Sequence, residues 1–324
     1  MMERVYASCT YEEGLRPRVV EAGRCCRCGT CGAVCPKHKD RRRHTPLAPA
    51  AGLEAPNEPC TLCTACCPRE AQRTEAGLGT VVGAWAARAR KGHRPDAAQD
   101  GGACTAFLAS LKGYRTATVG ACRWEPRPTI DDPPHATAGS KYAVTASLSL
   151  LPRPRDRLAF VGLPCQMTGI TLAQERDLLG EVALKVGLFC TKAFDHVVLA
   201  EVLAERGIVL AEVVRMDIKS ALVLTEKDGT RESVPLRSLG HAVVEGCAQC
   251  ADFCAWHADI AFGSVGSPEG WTTVIARTPH AKELFLAAAG RNSLKLSDKI
   301  DLTAVSEHQE RKRRSARNGQ AHHR

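Results

Sequence analysis

Seventeen cysteines in 324 residues fall into groups whose spacing suits soft-metal ligation. In Cys25-x2-Cys28-x2-Cys31-x3-Cys35-Pro36, three close thiolates can wrap one face of a [4Fe–4S] cube, while the fourth, before proline, serves another cluster. A second group, Cys60-x2-Cys63-x2-Cys66-Cys67-Pro68, departs from that pattern because Cys66 and Cys67 are adjacent. If the two groups are pseudo-equivalent, Cys67 completes the Cys25, Cys28 and Cys31 set. Cys35, Cys60 and Cys63 then hold the second, with Cys66 as its fourth ligand. Spacing leaves two alternatives open: one intact cluster beside a degraded site, or zinc held by Cys25, Cys28, Cys60 and Cys63. Cys9 and Cys26 read as bystanders.

A third constellation is less regular. Cys247-x2-Cys250 precedes a glycine-rich loop (Gly263, Gly266, Gly270) that runs into a β-branched stretch, Thr272 to Ile275. Upstream, Leu158 to Val161 and Val182 to Phe189 read as buried strands that end at Gly162-Leu-Pro-Cys165-Gln166 and at Cys190. Ligands in open α/β sheets gather at such strand ends. A lone cysteine there is also a common small core residue, so spacing alone does not make Cys165 and Cys190 ligands. Cys104, Cys122 and Cys254 read as packing residues, and His257 as packed or half exposed.

The elements that must position these groups divide the chain. Residues 1–77 are rich in cysteine, proline and short turns and hold too few apolar residues for a core without metal; Ala48 to Pro59 reads as a connector. From Leu78 the pattern is α/β. Gly101-Gly102 open a helix over Ala103 to Leu111, and Arg127 to Pro134 reads as a proline-rich loop. Asp195 caps a helix that stops at Gly207, and Lys227-Asp-Gly229 turns a hairpin. Thr278-Pro279 start a helix that ends at Gly290, and residues 301–324 read as a flexible basic tail. A content of 44% apolar residues marks a globular protein, and no apolar run spans a membrane. A net charge of +9 without interleaved aromatics gives no nucleic-acid signature. This many clustered cysteines fit a cytoplasmic metalloprotein better than a disulfide framework.

Several stretches together resemble the family of beta subunits of coenzyme F420-reducing hydrogenases and dehydrogenases. They are AQDGG (Ala98 to Gly102), AGSKY (Ala138 to Tyr142), FVGLPCQMTGI (Phe160 to Ile170), KVGLFC (Lys185 to Cys190), RMDI (Arg215 to Ile218) and Gly246 to Thr278. The resemblance implies an α/β flavoprotein domain with a mixed sheet over residues 78–300. A small ferredoxin-like (α+β) iron–sulfur domain over 1–77 would precede it, as in the family's ferredoxin-bearing branch. It implies FAD, coenzyme F420 as substrate, and two or three [4Fe–4S] clusters, one of them on Cys165, Cys190, Cys247 and Cys250. Cofactor contacts are expected at Asp100, Gly101, Gly102, Ser140, Lys141, Tyr142, Gln166, Gly263, Gly266, Gly270 and Trp271. No side-chain nucleophile is required. Redox partner subunits are expected, without direct membrane insertion, in the cytoplasm or peripheral on a membrane complex. The competing functions are a ferredoxin-type carrier that lacks its own substrate and a same-family reductase of another substrate.

Overall fold

The computed structural model describes residues 11–35, 61–71, 75–122, 125–151, 157–180 and 182–321; Cys9, Cys60 and the connector Ala48 to Pro59 lie outside them. In chain order the regular elements begin with a π-helical segment, Tyr11–Glu21, then α1 (Thr30–Val34), α2 (Leu62–Ala65), β1 (Gly83–Ala89) and α3 (Ala103–Ser110). There follow β2 (Arg115–Cys122), β3 (Glu125–Ile130), β4 (Leu158–Gly162), α4 (Pro164–Gln174), β5 (Leu184–Leu188) and α5 (His196–Ala204). The chain continues with β6 (Val213–Ile218), β7 (Ala221–Glu226), β8 (Arg231–Pro235), β9 (Ile260–Gly263), β10 (Thr272–Ala276), α6 (Pro279–Gly290), β11 (Leu294–Ser297) and α7 (Leu302–Ala321).

Eight strands form one mixed sheet in the order β11-β1-β10-β9-β5-β4-β2-β3. Its centre is parallel, β9 on β5, β5 on β4 and β4 on β2; the flanking pairs are antiparallel. The parallel strands are buried on both faces, so LAFVG of β4 is apolar throughout rather than alternating. Beside one face, α3 and α6 bring Phe107 and Phe285 into a cluster with Phe262 of β9, with ring centroids 5.7 to 6.2 Å apart. Another cluster joins Phe160 of β4 to Met167 and Ile170 of α4. A separate three-stranded sheet, β6-β7-β8, closes its own core with α5 around Leu199, Leu203, Met216, Leu222 and Leu224.

Local signals explain the helix ends. The Asp195 carboxylate accepts from Val197 N at 3.0 Å and caps α5, and Thr278 Oγ1 caps α6 by accepting from Ala281 N at 3.2 Å. Two expectations fail. The Arg127 to Pro134 stretch, read as a loop, begins inside β3; its prolines are tolerated because β3 is the outermost strand, where a missing N–H faces no neighbour. Residues 301–324, read as a flexible tail, contain the 20-residue helix α7, and Val305, Gln309, Lys312 and Ala316 on one stripe of it are buried.

No strand precedes Gly83 among the described residues, so the regular elements of the N-terminal cysteine segment are helical there, with Cys25, Cys26, Cys28 and Cys67 on the irregular stretches beside them. It packs on α4: a Cβ added to Gly169 would lie 2.0 Å from Thr30 Oγ1, and Thr30 itself is fully buried. Gly169→Val should therefore destabilise the fold by about 1–3 kcal/mol, the usual cost of overpacking, read as a lower urea midpoint. Among the described residues no helix is long and apolar enough to cross a membrane.

Candidate functional site

The parallel strands deliver two cysteines to one end of the sheet. β4 stops at Gly162 and Cys165 sits in the first turn of α4; β5 stops at Leu188, and Cys190 N donates to Phe253 O at 2.9 Å. That bond draws the Cys247 to Ala258 loop across the strand ends. Gly187 is required beneath it, since a Cβ there would meet the Ala255 Cβ at 2.4 Å.

The N-terminal segment closes over the same loop. A Cβ on Gly246 would lie within 2.5 Å of the Cys25 main chain. Arg24 donates to Gln249 Oε1 at 3.1 Å and to Arg69 O at 2.7 Å, and Arg27 is ion-paired with the capping Asp195. Cys26, read as a bystander, has its thiol hydrogen-bonded to both Cys165 and Cys28. Burial, then the thiols of Cys25 and Cys67, push Cys31 up to about 12. Cys63 is raised by its hydrogen bond with Cys35 and by burial, with Cys31 and Cys66 adding to it. Cys66 lies beside Cys63, whose carbonyl accepts from its thiol at 3.6 Å, and the thiols of Cys31 and Cys67 add to burial in raising it, so the six thiols form one cluster that the structure does not divide into two sets. Cys60 lies outside the described residues.

Two buried cations face the Cys165, Cys190, Cys247 and Cys250 group. Lys312 of α7 donates to Cys190 O and, at 2.7 Å, to Asp252 O. Arg69, directly after Cys67-Pro68, donates to Gln249 O at 3.4 Å, while its Nε is buried without a partner. Burial alone would push Cys250 up, but Lys312 and Arg69 together hold its thiol below the ordinary range. Burial raises Cys190 to about 12 and raises Cys247 as well, whereas Cys165 is raised first by its hydrogen bond with Cys26. Cys254 points elsewhere, toward Leu78 O and Gln309 Oε1 at 3.8 and 3.5 Å. Among the described residues no group of three or more His, Cys, Asp or Glu side chains stands ready to hold a metal ion. A cube places its ligands on separate irons, so its thiolates surround a space instead of converging on one atom. The soft donor set, the orphaned Arg69 Nε and the buried Lys312 fit an anionic cluster.

The remaining motifs meet on the side of β6. Gln99 accepts from Ser140 Oγ and donates to Tyr142 OH at 2.8 Å and to Asp217 Oδ1 at 3.1 Å. Arg215 grips Asp217 through two bonds of 2.7 and 3.1 Å. Asp100 and Tyr142 hold left-handed backbones, φ 43° and 49°, a strained conformation that clusters at ligand sites. Burial first, then Asp217, raises the Asp100 carboxyl. A cavity of about 390 Å³ opens beside Gly139, Ser140, Lys141, Arg215, Met216 and Lys227. Lys141 is held by Thr137 O at 2.5 Å and Ala138 O at 3.1 Å, and burial lowers it to about 8. Trp271 carries the Arg88 guanidinium 4.8 Å from its ring centroid.

The expected glycine contacts divide. The space beside Gly270 (φ 76°) is open, and at Gly102 (φ 65°) the nearest atom to an added Cβ is Arg94 Cγ at 3.1 Å. At Gly101, Gly263 and Gly266 the room is filled by Ala87 O, the Phe189 ring and the Val305 side chain, so those glycines serve internal packing. Gln166 is 2% exposed; it accepts from Leu163 N and donates to Thr145 O, both at 2.9 Å, which commits its amide to the α4 entry. Sequence reading missed Gln99, Arg215 and Asp217 as one network, as well as Arg69 and Lys312.

Comparison with known proteins bears on this arrangement. The family model for the C terminus of the coenzyme F420 hydrogenase/dehydrogenase beta subunit matches residues 155–301, which contain Cys165, Cys190, Cys247 and Cys250. An F(420)H(2) dehydrogenase subunit of Methanosarcina mazei is 30% identical over 295 residues, 82% of this chain and 83% of that one. The coenzyme F420-dependent sulfite reductase of Methanocaldococcus jannaschii is 29% identical over 89% of this chain, which spans 48% of that relative's length. In three dimensions, a chain of the F420-reducing [NiFe] hydrogenase complex of Methanosarcina barkeri matches with a TM-score of 0.69 and 27% identity, over 76% of this chain and 94% of that one. The mixed α/β sheet is therefore a shared framework, and the chain belongs to the family of coenzyme F420 hydrogenase/dehydrogenase beta subunits.

Proposed function

We propose that this protein is an F420-linked oxidoreductase subunit that takes a hydride from reduced coenzyme F420 onto FAD and delivers electrons singly, through [4Fe–4S] clusters, to partner subunits. The observation that carries the reading is the strand-end cysteine group, inside the residues that match the family, meeting the N-terminal cysteine segment at one buried, cation-lined junction. A deazaflavin exchanges hydride and an iron–sulfur cluster single electrons, so a flavin between them supplies the conversion.

The chain's own residues do the rest. Cys165, Cys190, Cys247 and Cys250 would hold the cluster nearest the α/β domain. Cys25, Cys28, Cys31 and Cys67 would hold a second, and Cys35, Cys60, Cys63 and Cys66 a third, in a ferredoxin-like arrangement. Lys141, Arg215 and Lys227 would bind the anionic parts of FAD or F420 beside the cavity, with Asp100, Gly270 and Trp271 near the reacting end. Tyr142, fixed by Gln99 and Ile218 N, orients the loop that carries Lys141.

Anaerobically purified protein loaded with FAD and iron should oxidise reduced F420 with a viologen acceptor. A fully loaded protein without turnover would sink the enzyme reading and leave the ferredoxin-type carrier. The pocket also has a pH signature. Because burial lowers Lys141 to about 8, its charge is present below that pH and lost above it. Affinity for the anionic ligand should be flat up to about pH 7 and fall as pH rises through about 8 to 9, in fluorescence titrations. Lys141→Met should weaken binding and flatten that profile.

A further inference from the structure

We propose that Arg69 and Lys312 are the two counter-charges of one anionic metal–thiolate centre on Cys165, Cys190, Cys247 and Cys250, and that they set its reduction potential. The proposal deepens the reading above and rests on a cluster being held there.

Each side chain is only 8% exposed, although they come from opposite ends of the chain, Arg69 behind Cys67-Pro68 and Lys312 from α7. A cation is buried at high cost unless an anion answers it, and here the protein offers little. Lys312 finds two backbone carbonyls, Cys190 O and Asp252 O. Arg69 finds Gln249 O, and its Nε has no partner. Both cations reach the loop around Cys250: Arg69 donates to the carbonyl of Gln249, directly before it, and Lys312 to that of Asp252, two residues after it, so they flank Cys250. Gln309, fully buried one turn before Lys312, accepts from Phe253 N and donates to Ala251 O at 2.9 and 2.6 Å, which fixes α7 on the cysteine loop and keeps Lys312 in place.

Reduction of such a centre adds one electron and one unit of negative charge with no proton, and net charge and surroundings set cluster potentials. Nearby fixed cations favour the reduced form. Removal of either should make the centre harder to reduce.

The test is a redox titration, monitored by electron paramagnetic resonance, of the anaerobically purified full chain and of Arg69→Met, Lys312→Met, Arg69→Lys and Lys312→Arg, with iron and acid-labile sulfide measured on each. With iron unchanged, both methionine variants should lower the same midpoint by at least a tenfold change in the one-electron equilibrium, about 59 mV, while the charge-keeping variants stay near the parent. Unshifted midpoints in iron-replete methionine variants would overturn the proposal. Should the methionine variants lose that centre's iron, retention by the charge-keeping pair supports a required counter-charge; loss in all four shows that shape, not charge, matters and overturns it. Failure of the underlying reading looks different: the parent protein itself would show no cluster that depends on Cys250.

Discussion

Cys250→Ser should remove roughly four irons per chain, one cube's complement, and cut electron delivery from reduced F420 by more than about 100-fold. The bound follows from the neighbours of metal ligands, whose loss alone costs about 10–100-fold in affinity or activity; a ligand itself matters more. Serine keeps the size of cysteine but replaces a soft thiolate with a hard oxygen that suits iron–sulfur ligation poorly. Cys250 is the most exacting position because Arg69 and Lys312 both act on it, so the substitution also leaves two buried cations facing a weaker partner. Cys254→Ser is the matched control, four residues away and fully buried. Its thiol faces Leu78 O and Gln309, and iron content should not change. Iron and sulfide analysis with visible absorption distinguishes the two variants, and an unchanged iron content in Cys250→Ser would remove this residue from the ligand set.

The largest effect on stability is expected at Arg277. This guanidinium is 4% exposed and serves as a staple for main chain. Nε donates to Ala255 O at 3.0 Å, Nη1 to Leu78 O and Thr80 O at 2.6 and 2.8 Å, and Nη2 to Cys254 O at 2.8 Å. It ties the segment entering β1 to the loop that follows Cys250. Arg277→Met retains much of the apolar stem but strands four carbonyls, each at a cost of about 1–3 kcal/mol. The sum is at least about 4 kcal/mol, a large part of the roughly 5–15 kcal/mol that holds a domain folded. Thermal melts of the iron-free variant should show a strongly lowered transition and a poor soluble yield. A midpoint within a few degrees of the parent would mean that water takes over these bonds.

Particular residues show how far the chain was legible on its own. The strands ending at Cys165 and Cys190 could be read because apolar runs bounded by turn residues are local, and so could the caps Asp195 and Thr278, whose hydrogen bonds span two and three residues. β1, β2, β9 and β11 carry no such self-contained pattern. Each is defined by its neighbour in the sheet, as where Ala84 pairs with Ile275 nearly two hundred positions away. Of the candidate site, the cysteine sets and the Asp100, Ser140, Lys141 and Tyr142 group were legible as motifs. Gln99, which binds Ser140, Tyr142 and Asp217 at once, was not, because a glutamine announces no partner.

Cys26 marks the boundary most clearly. Next to Cys25 it looks redundant, yet its thiol lies between Cys28 of the N-terminal group and Cys165 of the strand-end group, a place that no spacing along the chain announces. α7 was legible in principle, since Val305, Gln309, Lys312 and Ala316 recur at helical spacing. Its buried stripe is half polar and so reads as surface.

By itself, then, the sequence determined the inventory of the chemistry: soft thiols in three sets, glycine turns, capped helices and strands ending in cysteine. These are set by spacing along the chain and by backbone preferences within a few residues. Tertiary structure alone decided the grouping, with Arg69 and Lys312 from opposite ends of the chain at one thiol cluster, and with Gly101, Gly263 and Gly266 as packing positions. The reason is physical. Burial and charge depend on what lies across space, and the cost of an unanswered cation or a crowded Cβ arises only once the sheet, α4 and α7 have closed around it.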